Sequence, residues 1–320
     1  MAKKKGCLGC SLPVAVIILV IVLGIVILGL LAGPLGKAFG VTGLPNWLGI
    51  SQPHPSLPAE TVFHIFSFPV SNTIVATWIT MVVLIVLVTL AFSRSRLIPT
   101  RLQSVFESLL GFVYNLAVSI AGEKDGRRFF PLIATIFLFV GFNAWLALVP
   151  GFGSILIHTH EGEAELIRGA NTDLNTPLAL AIVTFCVTEF IGLKRLRLGY
   201  LKKFFVFGGM WNAVKKLFKG KFGQAAMEFI SGFISFFTGI IELIGEFIRI
   251  VSLTFRLFGN MTAGEILLIS ITYLLPFLVP IVFYGLEVLV GFIQALVFAG
   301  LTIVYISLAV AQHSSEEHGH

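Results

Sequence analysis

A chain of 320 residues with 57% hydrophobic and 12% charged side chains, and a mean hydropathy of +0.97, carries more apolar surface than one soluble core can enclose, which excludes an ordinary water-soluble globular domain. The formal net charge of +6 would suit a nucleic-acid binder, yet the lysines and arginines stand in clusters between apolar runs, where membrane topology accounts for them. The composition points to an all-α, polytopic integral membrane protein built from spans of about 20 residues.

The first apolar run, Leu12 to Ala32, follows Lys3 to Lys5 and the string Cys7-Leu-Gly-Cys10. That cysteine spacing is the spacing of a metal or redox pair, but no second pair exists, so both cysteines read as unpaired and without function. Leu8-Gly9-Cys10 is not a lipoprotein cleavage box, because the apolar run follows the cysteine instead of preceding it. The run also exceeds the roughly 7–15 apolar residues of a signal-peptide core, so a retained helix is expected.

A Pro- and His-containing segment with few charges, Gly33 to Pro69, leads to a second run at Thr73 to Phe92 and a basic cluster at Arg94, Arg96 and Arg101. In the following stretch, Arg101 to Ile120, Leu102, Val105, Phe106, Leu109, Leu110, Val113 and Leu116 keep helical spacing, while Gln103, Glu107 and Ser108 fall away from that stripe. A helix along the cytoplasmic interface is expected there. The third run is Phe129 to Val149, and the fourth is Thr176 to Leu193.

Two longer apolar regions complete the chain, at about 224–273 and 277–311. A helix of about 45 residues measures roughly 65 Å, about twice the hydrocarbon thickness, so such segments must tilt, lie partly in the membrane plane or break. Pro276 and Pro280 mark the turn between them. The fold expected is therefore one of about six membrane segments, the last two long and tilted.

Orientation follows from the basic residues. The stretch from Lys194 to Lys221 holds nine lysines and arginines and no acidic residue, which places it in the cytoplasm. The clusters at Lys3 to Lys5 and Arg94 to Arg101 are an even number of crossings away, on the same side. The loop from His158 to Asp173, with Glu161, Glu163, Glu165 and the lone basic Arg168, is expected outside. Both termini are expected in the cytoplasm. No internal repeat or linker divides the chain beyond a 1–58 extension, with one transmembrane helix, ahead of a 59–320 membrane domain.

Arg256 stands inside the first long region, where a cation costs several kcal/mol or more unless it meets an anion or a watery cavity. At about 100° per residue, Ser252 and Asn260 lie about 40° to either side of it, Arg249 and Ala263 about 20° away, and Glu242 about 40° away two turns beyond Arg249. Glu265 points about 180° from Arg256 and some 13 Å further along the axis, so it belongs to a separate polar path nearer the outer surface. In the second long region Glu287 and Gln294 share a face, with Tyr305 off that line toward the cytoplasmic end. Carboxylates, an amide and an arginine at graded depths suit a stepwise proton or cation path; the alternative is polar glue between packed helices. Gly259, Ala263 and Gly264 leave the flank of the Arg256 helix shallow, and a carboxylate on another subunit is a natural partner for Arg256.

The string Ser252-Leu-Thr-Phe-Arg-Leu-Phe-Gly-Asn-Met-Thr-Ala-Gly-Glu265 closely resembles the signature of subunit a of F-type ATP synthases, the stator component of the membrane sector. Further resemblances are Ser71-Asn72-Thr73 with Ala76-Thr77-Trp78-Ile79, Asp173-Leu-Asn-Thr-Pro-Leu-Ala-Leu, Gln294-Ala-Leu-Val-Phe through Leu301-Thr-Ile-Val-Tyr305, and Glu316-Glu317-His318. Together they cover about Ala59 to His318.

The resemblance implies a noncatalytic subunit with no cofactor and no bound metal, in the bacterial plasma (inner) membrane. Its partners would be a ring of c subunits, b-type peripheral stalk subunits, the rest of the ATP synthase and the lipid bilayer, and not nucleic acid. Arg256 matches the arginine that faces the c-ring and separates two half-channels. Asn260, Glu265 and Glu287 match the outer half-channel, Gln294 the glutamine near the arginine, Ser252 and Glu242 positions toward the cytoplasmic half-channel, and Tyr305 a polar position on the last helix. Some members have His where this chain has Glu287, and the N-terminal apolar run is absent from the basic five-span plan.

Two other classes compete with this reading. A membrane metalloprotein using His158, His160 and Glu161 would want paired ligands at helical spacing within a span, and these residues sit in a polar loop. A self-contained cation transporter or channel would want an inverted repeat or a complete internal cation site, and neither is visible. His313, His318 and His320 read as a disordered end.

Overall fold

The structure is a computed structural model and describes residues 12–38, 40, 58–93, 99–149, 155–159, 162–196 and 222–311. Cys7, Cys10, Lys3 to Lys5, Arg94, Arg96, His160, Glu161, the basic stretch from 197 to 221 and the terminal histidines lie outside the described residues.

Each of the six apolar runs is helical, because a backbone in hydrocarbon must satisfy its own hydrogen bonds. The elements are α1 (Leu12–Ala32), the short α2 (Pro34–Ala38), α3 (Asn72–Phe92), α4 (Arg101–Ala147), α5 (Asn175–Leu196), α6 (Phe222–Leu274) and α7 (Val279–Ala311). By length and apolarity, α1, α3, α4, α5 and α7 each qualify as membrane spans. The sixth expected segment, α6, runs unbroken for 53 residues and carries six charged side chains. At 1.5 Å per residue it measures roughly 80 Å, well beyond the hydrocarbon thickness.

The stop between α6 and α7 falls where the prolines place it. Pro276 cannot continue the helix, Phe277 takes a left-handed φ of 75°, and Pro280 sits in the first turn of α7, where its missing N–H costs nothing. Pro177 plays the same part at the start of α5, and Lys194 and Arg195 in the last turn of that helix face its negative dipole end.

The helix expected over Arg101 to Ile120 is the first part of α4, which continues into the third apolar run. Gly122 adopts φ 78° and ψ 167°, a conformation open essentially to glycine alone, and breaks the helix into two arms. Phe106 stacks on Phe142 at 6.1 Å and Tyr114 meets Phe130 edge-on at 5.3 Å, whereas a straight helix would hold the first pair roughly 54 Å apart. The arms are thus an antiparallel hairpin. The buried face of the first arm is Gln103, Phe106, Val113 and Ala117, with Leu102 and Val105 exposed. Gln103, expected to point away, is buried with its amide donating to Glu107 Oε1 at 2.7 Å.

Two antiparallel hairpins supplement the helices. Strands β1 (Thr61–Ile65) and β2 (Phe68–Ser71) pair with Ile65 opposite Phe68, and β3 (Leu156–Thr159) and β4 (Gly162–Glu165) pair with Leu156 opposite Glu165. Their backbone bonds are met within each hairpin, which suits segments outside the hydrocarbon.

The described residues form two compact units. The first comprises those of Met1–Ala76, Ala144–Asp173 and Gly259–Ile293, and the second those of Thr77–Asn143, Leu174–Phe258 and Gln294–His320. Within the first, α1 is exposed along nearly its whole length and buries only its small-residue end. Gly29 lies against the Pro276 carbonyl and Gly33 against the Leu274 carbonyl. Glycine permits this approach because a side chain at either position would strike the backbone.

Candidate functional site

The first unit encloses a cavity of about 220 Å³, large enough for several water molecules, lined by Glu165, Arg168, Thr172, Met261, Glu265, Tyr284 and Glu287 among others. Its walls come from the end of α4, from β4 and the chain after it, from α6 and from α7. Two carboxylates expected on an outer path, Glu265 and Glu287, therefore line one cavity.

Arg168 holds the wall together. Its side chain is 5% exposed, with Nε and Nη2 donating to the two oxygens of Glu265 at 3.1 Å each and Nη1 donating to the Pro58 carbonyl at 3.3 Å. The planar guanidinium fork matches a carboxylate at two points and carries a fixed charge, so the pair is rigid as well as attractive. Gly169 brings this segment close to α4, since a Cβ there would stand 3.1 Å from Ala147 Cβ.

Glu287 is 7% exposed and has no hydrogen-bond or ion-pair partner among the described residues. Its carboxyl group packs on the Cα face of Gly264, where any side chain would overlap it. The Trp145 indole N–H, donating to the Val288 carbonyl at 3.1 Å, ties this part of α7 to the end of α4.

The motifs around Asn72 and Asp173 meet in the same unit. Thr73 Oγ1 donates to Asp173 Oδ2 at 3.1 Å, the Asn72 side-chain amide donates to the Glu165 carbonyl at 3.3 Å, and the Glu165 backbone N–H donates to Glu60 Oε2 at 3.2 Å. These bonds fix β4 and thereby the Glu165 side chain. Burial, first, and then the negative charges of Glu265 and Glu60 push the Glu165 carboxyl above its ordinary range, against the opposing pull of Arg168. Asn260, expected on the outer path, is exposed and does not line the cavity.

The second unit holds Arg256, Ser252, Glu242, Gln294 and Tyr305. Arg256 is half-buried and its Nη2 donates to Ser252 Oγ at 3.4 Å, a helix-turn neighbour on the predicted face. No carboxylate pairs with it among the described residues. Gln294 is buried and Glu242 half-buried.

A smaller pocket in this unit, about 10 Å³ and so about one water molecule in size, is lined by Thr184, Thr188, Glu246, Arg249 and Tyr305 with apolar neighbours. Arg249 Nη1 donates to Glu246 Oε1 at 2.7 Å, and the Arg249 guanidinium lies over the Tyr305 ring, 5.0 Å from its centre. The charge on Arg249 is thus shared between a carboxylate and an aromatic face.

Sequence reasoning did not single out Arg168, Glu165, Glu246 or Arg249 as site residues. The visible signal for Arg168 was its isolation as the one basic residue among Glu161, Glu163 and Glu165. For Glu246 it was the three-residue spacing to Arg249, an ordinary helical pair in water and a costly one in a membrane.

Residues 74–307 match the family model described as ATP synthase A chain. The protein named ATP synthase subunit a of Citrifermentans bemidjiense is 35% identical over 256 residues, 80% of this chain and 92% of that one. The protein of the same name from Desulfosudis oleivorans is 33% identical over 273 residues, 83% and 99% of the two chains, and ATP synthase subunit a 1 of Pelobacter propionicus is 36% identical over 236 residues, 74% and 86%. The matched span takes in the cavity carboxylates, the Arg256 stripe and the Arg249 cluster together, and on that match the chain belongs to the ATP synthase A chain family.

Proposed function

We propose that this chain is the stator subunit a of an F-type ATP synthase membrane sector, and that it provides two offset proton half-channels which load and unload carboxylates on a rotating ring of c subunits. The observation that carries the reading is the cavity, roomy enough for several water molecules, with Glu265 and Glu287 in its wall. A carboxylate beside water in a membrane protein can take and release protons, and a cavity spares it the cost of meeting lipid.

In this scheme a proton enters the outer cavity from outside the cell, passes Glu287 and the region of Glu265 and Asn260, and neutralises a ring carboxylate. The neutral site can then turn into lipid. When the ring returns that site to the release path, Arg256 favours its ionised form by opposite charge, and the proton leaves toward the cytoplasm past Ser252, Glu242 and the Tyr305 region. Gln294 flanks Arg256. Each proton crossing about 100 mV releases about 2.3 kcal/mol, so a leak past Arg256 would waste the gradient. Support for Arg256 facing a partner is its charge inside an apolar helix, where it donates to the Ser252 hydroxyl and pairs with no carboxylate among the described residues.

Residues 59–320 make up this proton-conducting domain, and 1–58 an extension that adds a transmembrane helix. The subunit itself is noncatalytic, contacts b-type peripheral stalk subunits as well as the c-ring, and sits in a bacterial inner membrane with both termini in the cytoplasm, as the basic clusters favour.

The test is ATP-driven proton pumping and passive proton leak in inverted membrane vesicles carrying wild type or Arg256→Ala. Lost pumping with a membrane-sector leak is the expected result. Unchanged pumping with no leak would make Arg256 structural and remove the basis of the scheme.

A further inference from the structure

The hairpin of β1 and β2 is apolar at its tip. From Thr61 to Ser71 it holds no Asp, Glu, Lys or Arg, and His64 is its one titratable side chain. Cross-strand partners share a face, so Phe63 and Ile65 stand with Val70 on one side, and His64 stands with Pro69 on the other. On the apolar side exposure rises toward the turn: Val70 is 1% exposed, Phe63 41% and Ile65 43%, and Phe66 in the turn is wholly exposed.

The base of the hairpin is fixed in the protein. The Asn72 N–H donates to the Glu60 carbonyl at 3.0 Å, and Glu60 Oε2 accepts from the Glu165 N–H at 3.2 Å. The tip is built differently. Phe66 is the first of two turn residues and takes φ 56°, in the left-handed region, a place that such turns give to glycine or asparagine. Glycine would close the turn without strain, so the phenyl group here serves contact outside the hairpin and not the turn itself.

Position says what that contact is. β2 ends at Ser71, and α3, a membrane span of 21 residues, begins at Asn72. At 1.5 Å per residue α3 is about as long as the hydrocarbon is thick, so the hairpin starts at the level of the lipid headgroups. A strand rises about 3.3 Å per residue, which keeps Phe66 within roughly 17 Å of the end of the span.

We infer that Phe63, Ile65 and Phe66 seat the hairpin in the phospholipid headgroup layer at the Asn72 end of α3, making it a lipid anchor. The outer edges of a two-stranded sheet forbid the hydrocarbon itself, whereas the headgroup layer offers water to those edges and apolar contact to the rings. In bulk water the same apolar tip would invite edge-to-edge pairing. A lipid surface is favoured over a protein partner because the hairpin has no charged side chain for pairing and the bilayer is already present at this end of α3. Glu60 at the hairpin base bonds β4, and the Pro58 carbonyl accepts from Arg168, so the anchor ties the wall of the cavity to the membrane surface. The inference stands apart from the proton path and holds whichever residues carry protons.

The experiment places the photoreactive residue p-benzoylphenylalanine at position 66, or at position 64 on the opposite face, in the intact ATP synthase. The enzyme is reconstituted in vesicles of phosphatidylethanolamine and phosphatidylglycerol and irradiated, and the hairpin peptide is weighed by mass spectrometry. The excited benzophenone takes a hydrogen from a neighbouring C–H and joins to that carbon, so a lipid contact adds the full mass of one phospholipid. Position 66 should carry at least about fivefold more phospholipid adduct than position 64. An adduct formed mainly with another polypeptide would overturn the inference and assign the tip to a subunit interface. Unmodified peptide at 66 would overturn it too, as the mark of a ring in water. Where the enzyme labelled at 66 does not assemble, the same residue at position 65, on the apolar face, gives the same reading.

Discussion

Gly264 on α6 and Glu287 on α7 are pressed together, the Cα face of the glycine forming the floor on which the glutamate carboxyl group rests. Only the absence of a side chain at 264 allows this buried carboxyl its place in the cavity. Gly264→Ala is therefore expected to leave helix and assembly intact, since alanine is the better helix former, and to displace the end of the flexible Glu287 side chain. Coupled proton pumping should fall severalfold at unchanged subunit content. Wild-type pumping from that variant would mean that the position of Glu287 is not critical.

Glu165 offers a pH test outside the membrane spans. Its folded-state proton affinity is raised, by burial first, so its contribution to stability is fully present below the ordinary value of 4.5 and is lost as pH rises through the higher folded value. Glu165→Gln cannot ionise and keeps the backbone bonds to Asn72 and Glu60. Thermal unfolding of the purified complex should show the variant gaining on wild type as pH rises above 4.5, with the curves converging below it. A pH-independent difference would contradict this account.

The Arg249 cluster separates charge from hydroxyl. Arg249→Ala removes the ion pair to the buried Glu246, at a cost of about 1–3 kcal/mol. Tyr305→Leu removes the ring under the guanidinium, at about 0.5–2 kcal/mol, while Tyr305→Phe keeps it and should be neutral in stability. Melting temperatures of the three variants check the order, and a pumping defect in Tyr305→Phe with unchanged melting would assign the hydroxyl to the release path.

Gly122→Ala should cost about 1–3 kcal/mol, because φ 78° with ψ 167° is a glycine-only conformation and the hairpin has no other break. Lower yield of folded protein and a lower melting temperature are expected. An unaffected variant would show that the arms can turn without this backbone geometry.

All six apolar segments, the break at Pro276 and Pro280, and the shared face of Ser252 and Arg256 could be read along the chain, because apolar length, missing amide hydrogens and helical periodicity are local properties. The expected separation of Glu265 from Arg256 was legible for the same reason: nine residues place the two on opposite faces. What that carboxylate meets instead was not. Arg168 and Glu265 are 97 residues apart, one beside a short strand and the other inside a 53-residue helix, and no periodicity links them. Gln103, in the first arm, turned inward because the chain doubles back at Gly122 and offers it a second helix. The same holds for Gly264 under Glu287 and for Tyr305 under Arg249, where one partner reads as an unremarkable helix residue until the other is brought against it. Sequence pattern sets which face of an element is polar, and chain closure alone sets which polar groups share a cavity.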